Sequence, residues 1–285
     1  MAGLQHARMN DLNPELSRVA GGEASVARRR DRGAEDGALR LVAQWARHTD
    51  DVRAAQQLRW RVFVDEMGAS LTPAHGVPDG HDADRFDDHC EHLLVRTLED
   101  DGQASRVVGT YRVLTPAAAR RLGGLYTDLE FDLTRLHGLR PRMAELGRTC
   151  TDAQWRNGAV IMLLWSELAR FMQRNQLDVM IGCASVAMRD GGHAAASLWE
   201  RLRVTHMAPE AHRVTPRLAL PVNELRSDLD VDAPPLIKGY LKCGAQVLGP
   251  PAWDPDFGTA DLPMMLALAD VPPAYRRRFL GPDSA

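Results

Sequence analysis

Four short segments between Arg59 and Cys150 place charged side chains inside runs that otherwise read as core: LRWRVF with Arg59 and Phe63, DRFD with Asp84 and Asp87, VVGTYRVL with Arg112, and AELGRTC with Glu145 and Arg148. Burying a charge without a partner is costly, so the pattern predicts a polar pocket built from groups that pair with one another. A carboxylate in an apolar strand, as Glu145 would be, has its pKa pushed toward neutrality and can take a proton directly or through water. Two carboxylates placed close together, as Asp84 and Asp87 would be, can hold a cationic group. The forks of Arg59, Arg112 and Arg148 suit carboxylates, which they grip bidentately. Each assignment has a plainer counterpart. Glu145 could form a structural ion pair with Arg148 or Arg112, which would lower its pKa. Asp84 and Asp87 could belong to a solvated loop capping a helix, and each arginine could be an ordinary ion-pair partner. The stretch HDADRFDDHCEH is rich in His, Asp and Cys, but its spacing matches neither a H-E-x-x-H helix nor a calcium-binding loop, so no metal is expected.

The elements that must position these groups can be read from periodicity. Val52, Ala55, Leu58, Val62 and Met67 recur at helical spacing and predict a helix from Asp51 to about Met67, with Arg59, Phe63 and Glu66 on a neighbouring face. A long Gly/Pro/Asp-rich loop comes next. His92 to Leu98 and Arg106 to Leu114 predict an antiparallel hairpin, and Met143 to Thr151 a third strand. A long helix is expected from Asp152, a candidate N-cap, to Asn175, then a buried and parallel strand from Asp178 to Ser185 and a helix from His193 to Leu202. The C-terminal third contributes a short helix in PPLIKGYLKCG, a strand near Ala245 to Leu248 and the apolar run LPMMLALAD. In an ideal strand Glu145 and Arg148 face opposite ways; a bulge at Gly147 would let both line one cleft and would free backbone N–H groups to hold an oxyanion.

The chain has 285 residues, 45% hydrophobic by count, enough for a substantial core. Residues 1 to about 40 mix Arg, Gly, Ala, Glu and Asp without periodicity and read as a mobile tail, leaving residues 41 to 285 as a single domain. No run of about 18 apolar residues and no apolar leader is present, so a cytoplasmic address is expected. The net charge of -3 argues against nucleic-acid binding. Cys90, Cys150, Cys183 and Cys243 stand apart, as reduced buried thiols rather than a metal or redox pair. Lys238 and Lys242 are the only lysines, a skew read mainly as genomic base composition. No G-x-S-x-G motif is present, so a serine nucleophile on a strand-to-helix elbow has little support.

The order hairpin, central strand, long helix, parallel strand and closing strands is that of an N-acyltransferase fold of the GNAT type, an α/β (α+β) class with a central mixed sheet flanked by helices. The sequence resembles the ornithine N-acyltransferases that make lyso-ornithine lipid and, more distantly, the acyl-homoserine-lactone synthases. The resemblance spans roughly residues 50 to 280 and is carried by LRWRVFVDEMGA, DADRFDDHCEHLLV, VVGTYRVL, GGLYTDLEFDL, AELGRTC, IGCAS, PPLIKGYLKCGA and FGTAD. The lactone synthases' charged motifs fall on Arg59 and Phe63, Asp84 and Asp87, Arg112, and Glu145 and Arg148, but those enzymes lack the PPLIKGYLKCGA block.

The resemblance implies transfer of a (3-hydroxy)acyl group from acyl carrier protein to the α-amine of ornithine, by direct attack on the thioester. Glu145 would be the general base, because an α-amine titrating near 8 is largely protonated at neutrality. Asp84 and Asp87 would receive ornithine's ammonium or orient the arginines. Arg59, Arg112 and Arg148 would take its carboxylate or hold the acids, and Phe63 would be a pocket wall. Tyr240 could protonate the departing thiolate, though a buried tyrosine more often simply finds a partner. Acetyl-CoA enzymes of this fold carry Q/R-x-x-G-x-G/A before the long helix; here Arg156, Gly158 and Ala159 stand out of register. The expected donor is therefore acyl-4'-phosphopantetheine on its carrier protein, with no separate cofactor. Carrier proteins are acidic, so Arg140, Arg142, Arg156 and Lys242 are candidates to meet one. Arg276 to Arg278 could touch either the carrier protein or, transiently, the anionic inner-membrane surface, although three arginines fall short of the basic clusters typical of lipid binding. A lactone synthase using S-adenosylmethionine, another amine acyltransferase, and a non-catalytic carrier-protein or acyl-binding protein remain alternatives.

Overall fold

A computed structural model describes residues 40–71, 76–99 and 104–281. The tail expected over residues 1 to 40 lies outside these except for Arg40, which opens the first strand. In chain order the strands are β1 (Arg40–Trp45), β2 (Glu91–Leu98), β3 (Ala104–Leu114), β4 (Phe131–Asp132), β5 (Met143–Thr151), β6 (Val179–Ala187), β7 (Thr215–Pro216), β8 (Gln246–Val247), β9 (Ala252–Asp254) and β10 (Thr259–Ala267). The α-helices are α1 (Thr49–Trp60), α2 (Pro116–Leu122), α3 (Thr127–Glu130), α4 (Ala159–Arg174), α5 (His193–Thr205), α6 (Pro235–Lys242) and α7 (Pro273–Leu280).

One mixed sheet runs β1-β2-β3-β5-β6-β10-β8, with β9 also on β10, and every pairing is antiparallel except β5 with β6. Period-two alternation assigns the faces of β2: Leu94 packs with Ala55, Leu58 and Val62 of the first helical segment, whereas Leu93 and Val95 pack with Val160, Leu164 and Leu168 of α4. α4 packs tightly over Gly109, since a Cβ there would lie 2.2 Å from Val160 Cγ1.

The periodic segments fold as their patterns predict, with corrections at their edges. The first helix is α-helical only to Trp60 and continues as a π-helical turn over Arg61–Glu66. The wider turn rotates residues 61–66 about the helix axis, so Arg59 points into the core while Phe63 reaches a cavity wall, and the expected common face is lost. Asp152 does not cap the long helix; its carboxylate caps a short 3-10 turn at Gln154 N, and Gly158 with φ +86° separates that turn from α4. β1 was not visible in the sequence, because an edge strand of mixed polarity carries no clean alternation.

Candidate active site at the parting of two strands

β5 and β6 are paired only over Met143–Val179, Ala144–Met180 and Glu145–Ile181. Beyond that point β5 stays with β3 up to Thr151, while β6 runs beside β10 up to Ala187. The sheet opens as a wedge whose apex is tight: a Cβ on Gly182 would sit 2.3 Å from the Leu146 carbonyl oxygen, so only glycine fits there. On β5 an extra residue falls between the pairs Thr110–Cys150 and Arg112–Gly147, and Arg148 takes φ +50°. The bulge predicted at Gly147 thus centres on the next residue. It has the predicted effect, since Glu145 and Arg148 both line one cavity of about 660 Å³.

This cavity passes through the opened sheet. One end is polar, with Tyr126, Thr127, Glu145, Arg148, Asp254 and Asp261 on its walls. The other is an apolar arm on the α4 side, walled by Trp165, Leu168, Leu266, Leu268, Val271 and Phe279. Tyr111 and Tyr240 meet hydroxyl to hydroxyl between the two ends, and Tyr240 stacks on Trp165.

Glu145 is buried at the apex of the wedge. Its carboxylate accepts from Tyr126 N at 2.7 Å, from Thr127 N at 2.6 Å and from the Thr127 hydroxyl. Neither Arg148 nor Arg112 pairs with it; both are committed elsewhere. Burial raises its pKa, and the bonds from Thr127 and Tyr126, with the field of Arg112, offset only part of that rise.

The remaining charged motifs form a network. Arg59 is 0% exposed and holds Asp82 at 2.9 Å and Asp87 at 2.7 Å. Arg112 bridges Asp84 at 2.7 Å and Asp87 at 3.1 Å. Arg148 reaches Asp82 at 3.3 Å and Asp84 at 3.1 Å, and its guanidinium lies over the rings of Tyr126 and Phe257. Burial works against the charge on Asp87, but Arg59 and Arg112 more than offset it and hold this carboxyl well below the usual range. Of the two roles read for Asp84 and Asp87, the geometry therefore provides the second, orientation of the arginines, because three guanidinium groups already occupy their oxygens. Arg59 lies off the cavity wall with its guanidinium spent on Asp82 and Asp87, so it holds the acids, the second role read for it, rather than lining a substrate site. Arg112, Arg148 and Phe63 do line the cavity.

The four candidates for meeting a carrier protein are scattered. Arg156 stands at the open end of the wedge, on the cavity rim, paired with Glu66. Lys242 is exposed on α6, between the cavity-lining Tyr240 and Cys243. Arg140 and Arg142 precede β5 at the closed end, where Asp128 and Asp178 engage them, so neither stands at the opening as expected. Arg276 donates to the carbonyls of Leu268 and Ala269, leaving Arg277 and Arg278 exposed. Among the described residues no helix is long and apolar enough to cross a membrane.

A second acidic group was missed. Asp261 of β10 and Asp254 of β9 are buried on the cavity wall, and Glu130 at the end of α3 lines an adjoining recess of about 490 Å³ that shares Tyr126, Arg148 and Asp254 with the main cavity. Burial and the nearness of Asp261 push Glu130 up to about 8, and burial pushes Asp261 up to about 6. The available signals, an acid in GGLYTDLEFDL and one in FGTAD, lie 131 positions apart.

Comparison with known proteins places these features in a family. Residues 58–166 match the acetyltransferase (GNAT) domain model. The chain is 35% identical over 234 residues to the L-ornithine N(alpha)-acyltransferase of Brucella abortus (strain 2308), covering 79% of this chain and 83% of that one. It is 33% identical over 252 residues to that of Agrobacterium fabrum (strain C58 / ATCC 33970), covering 82% and 83%. Among solved structures, the AHL synthase LasI superposes with a TM-score of 0.45 at 14% identity, covering 81% of this chain and 91% of that one.

Proposed function

The chain belongs to the L-ornithine N(alpha)-acyltransferase family, and from that premise we propose that this N-acyltransferase moves a fatty acyl group from acyl carrier protein to the α-amine of ornithine. The observation that carries the reading is the single cavity that joins an apolar arm to a polar end with Glu145 at the apex between them. The acyl chain occupies the arm and the thioester lies in the wedge. The amino acid enters from the polar end, where Arg112 and Arg148 offer guanidinium edges to its carboxylate.

Glu145 is the base. Its carboxyl is fixed by three donors, which leaves one lone pair on Oε2 for the incoming ammonium, and its raised pKa suits proton abstraction near neutrality. The nitrogen attacks the thioester carbon, the carbon–sulfur bond breaks, and the sulfur leaves as a thiol carrying the second proton that the attacking nitrogen gives up. Backbone N–H groups of β5 that have lost β6 as a partner polarise the carbonyl oxygen. A carrier protein as donor is supported by the absence of an in-register pyrophosphate motif before α4 and by Arg156 on the rim.

Purified protein given acyl carrier protein charged with a 3-hydroxyacyl chain and radiolabelled ornithine is expected to yield a labelled lipid amide that depends on both substrates. No ornithine-dependent amide would end this reading.

A further inference from the structure

The acids Glu130, Asp254 and Asp261 play no part in the acyl-transfer mechanism, and their surroundings are unusual. Among the described residues no basic nitrogen lies within ion-pair distance of any of the three, since the nearby Arg148 is engaged by Asp82 and Asp84. Both oxygens of Glu130 are sealed from solvent and meet no well-aligned donor; the Cys183 thiol is the polar group that leans on them. One oxygen of Glu130, one oxygen of Asp261 and Cys183 Sγ lie within 4.8 Å of one another. Asp261 is held in place by the Thr259 hydroxyl, which donates to Oδ1 at 2.8 Å. Arg148 reaches the three acids only through its field, and buried carboxylates with no ion-pair partner are costly, which makes the cluster a receptor for a cation in direct contact.

The position of the cluster indicates which cation. Cys183 lies 3.9 Å from the Thr127 hydroxyl, which in turn donates to Glu145. The acids are therefore one thiol and one hydroxyl away from the base. An amino acid whose α-nitrogen faces Glu145 would carry a short side chain directly into them. A metal ion fits less well: burial and the two carboxylates hold the Cys183 thiol well above its ordinary pKa, whereas metal ligation needs a thiolate, and a hard cation needs about six oxygens.

We propose that Asp261, with Asp254 and Glu130 around it, is the subsite for the side-chain ammonium of the amine substrate and selects a dibasic amino acid over a neutral one of the same shape. This rests on the proposed acyl transfer and adds the residues that set its amine specificity.

The test compares ornithine with norleucine, in which a methyl group replaces the side-chain ammonium, in wild type, Asp261→Asn and Glu130→Gln proteins. Removing a charged hydrogen-bond partner is expected to raise KM for ornithine about tenfold or more. kcat should stay within about twofold, and turnover of norleucine should be unchanged or improved, so the preference collapses. If the wild type makes no ornithine amide, the acyl-transfer reading fails. If it does, but both variants keep the wild-type KM and preference, this inference alone fails. Activity in the wild type that is lost to EDTA and restored by a divalent ion, but not restored in Asp261→Asn, would assign the acids to a metal and overturn it.

Should the variants not fold, wild-type kinetics still decide. The ratio of the two KM values cancels the shared α-amine. It should move in favour of ornithine as pH rises from about 6 to about 8, as Asp261 and Glu130 ionise in the presence of Asp254, Cys183 and Arg148. A ratio flat with pH would contradict the proposal.

Discussion

Asp87 and Glu145 are both buried carboxylates from the charged motifs, yet they titrate in opposite directions because of what reaches them. Two guanidinium groups face Asp87 and override its burial; backbone amides and a hydroxyl face Glu145 and do not. A carboxyl held below its unfolded value of about 3.9 contributes stability that is fully present above that pH and is lost as pH falls. The melting temperature of the wild type should therefore start to drop as pH falls below about 4 and keep dropping through about pH 2. Asp87→Asn should start lower, by roughly 3–5 kcal/mol for a broken buried pair, and fall less steeply. Parallel slopes for the two proteins would show that Asp87 does not carry the acid sensitivity. At this scale the sequence announced that charges enter the core, since LRWRVF and AELGRTC place them in apolar runs. It could not say that Arg59 is sealed while Arg112 and Arg148 are not, because that depends on the π-helical turn and on the loop that carries Asp82.

The site owes its shape to the way two strands part. Pairing of β5 with β6 stops at Glu145–Ile181, and the close approach of Gly182 to the Leu146 carbonyl sets where it stops. Gly182→Ala should force the apex open, costing about 1–3 kcal/mol as an overpacked contact, with a larger loss of turnover than of binding because Glu145 is displaced. A variant with unchanged stability and turnover would show that the apex tolerates a Cβ and that its tightness is irrelevant. Periodicity makes β2, β3, β5, β6 and the body of α4 legible in the sequence, since each has a strong pattern over many residues. The bulge lies one residue beyond the position that sequence indicates, because glycine marks where a strand can kink without stating which neighbour takes the positive φ. The true start of α4 is hidden for a related reason: Asp152 is a good cap, and nothing local shows that Gly158 interrupts the helix.

Across the whole molecule, the opened sheet lets an apolar arm under α4, α6 and α7 meet a polar end on the other face, so that a fatty chain and a charged amine can converge without either crossing the wrong surroundings. Long-range assembly of this kind leaves little trace in a sequence. The arm's residues read as ordinary core, and the acids Glu130, Asp254 and Asp261 come from three separate elements, each inconspicuous alone. The central claim is that Glu145 at the apex takes the amine's proton, and single-turnover amide formation by wild type and Glu145→Gln proteins, monitored across pH, tests it most directly. Loss of rate by about 10²–10⁴-fold, with the melting temperature kept and the pH dependence of the residual rate altered, is predicted. A Glu145→Gln protein that forms the amide within about threefold of the wild-type rate, with the same pH profile, would contradict it.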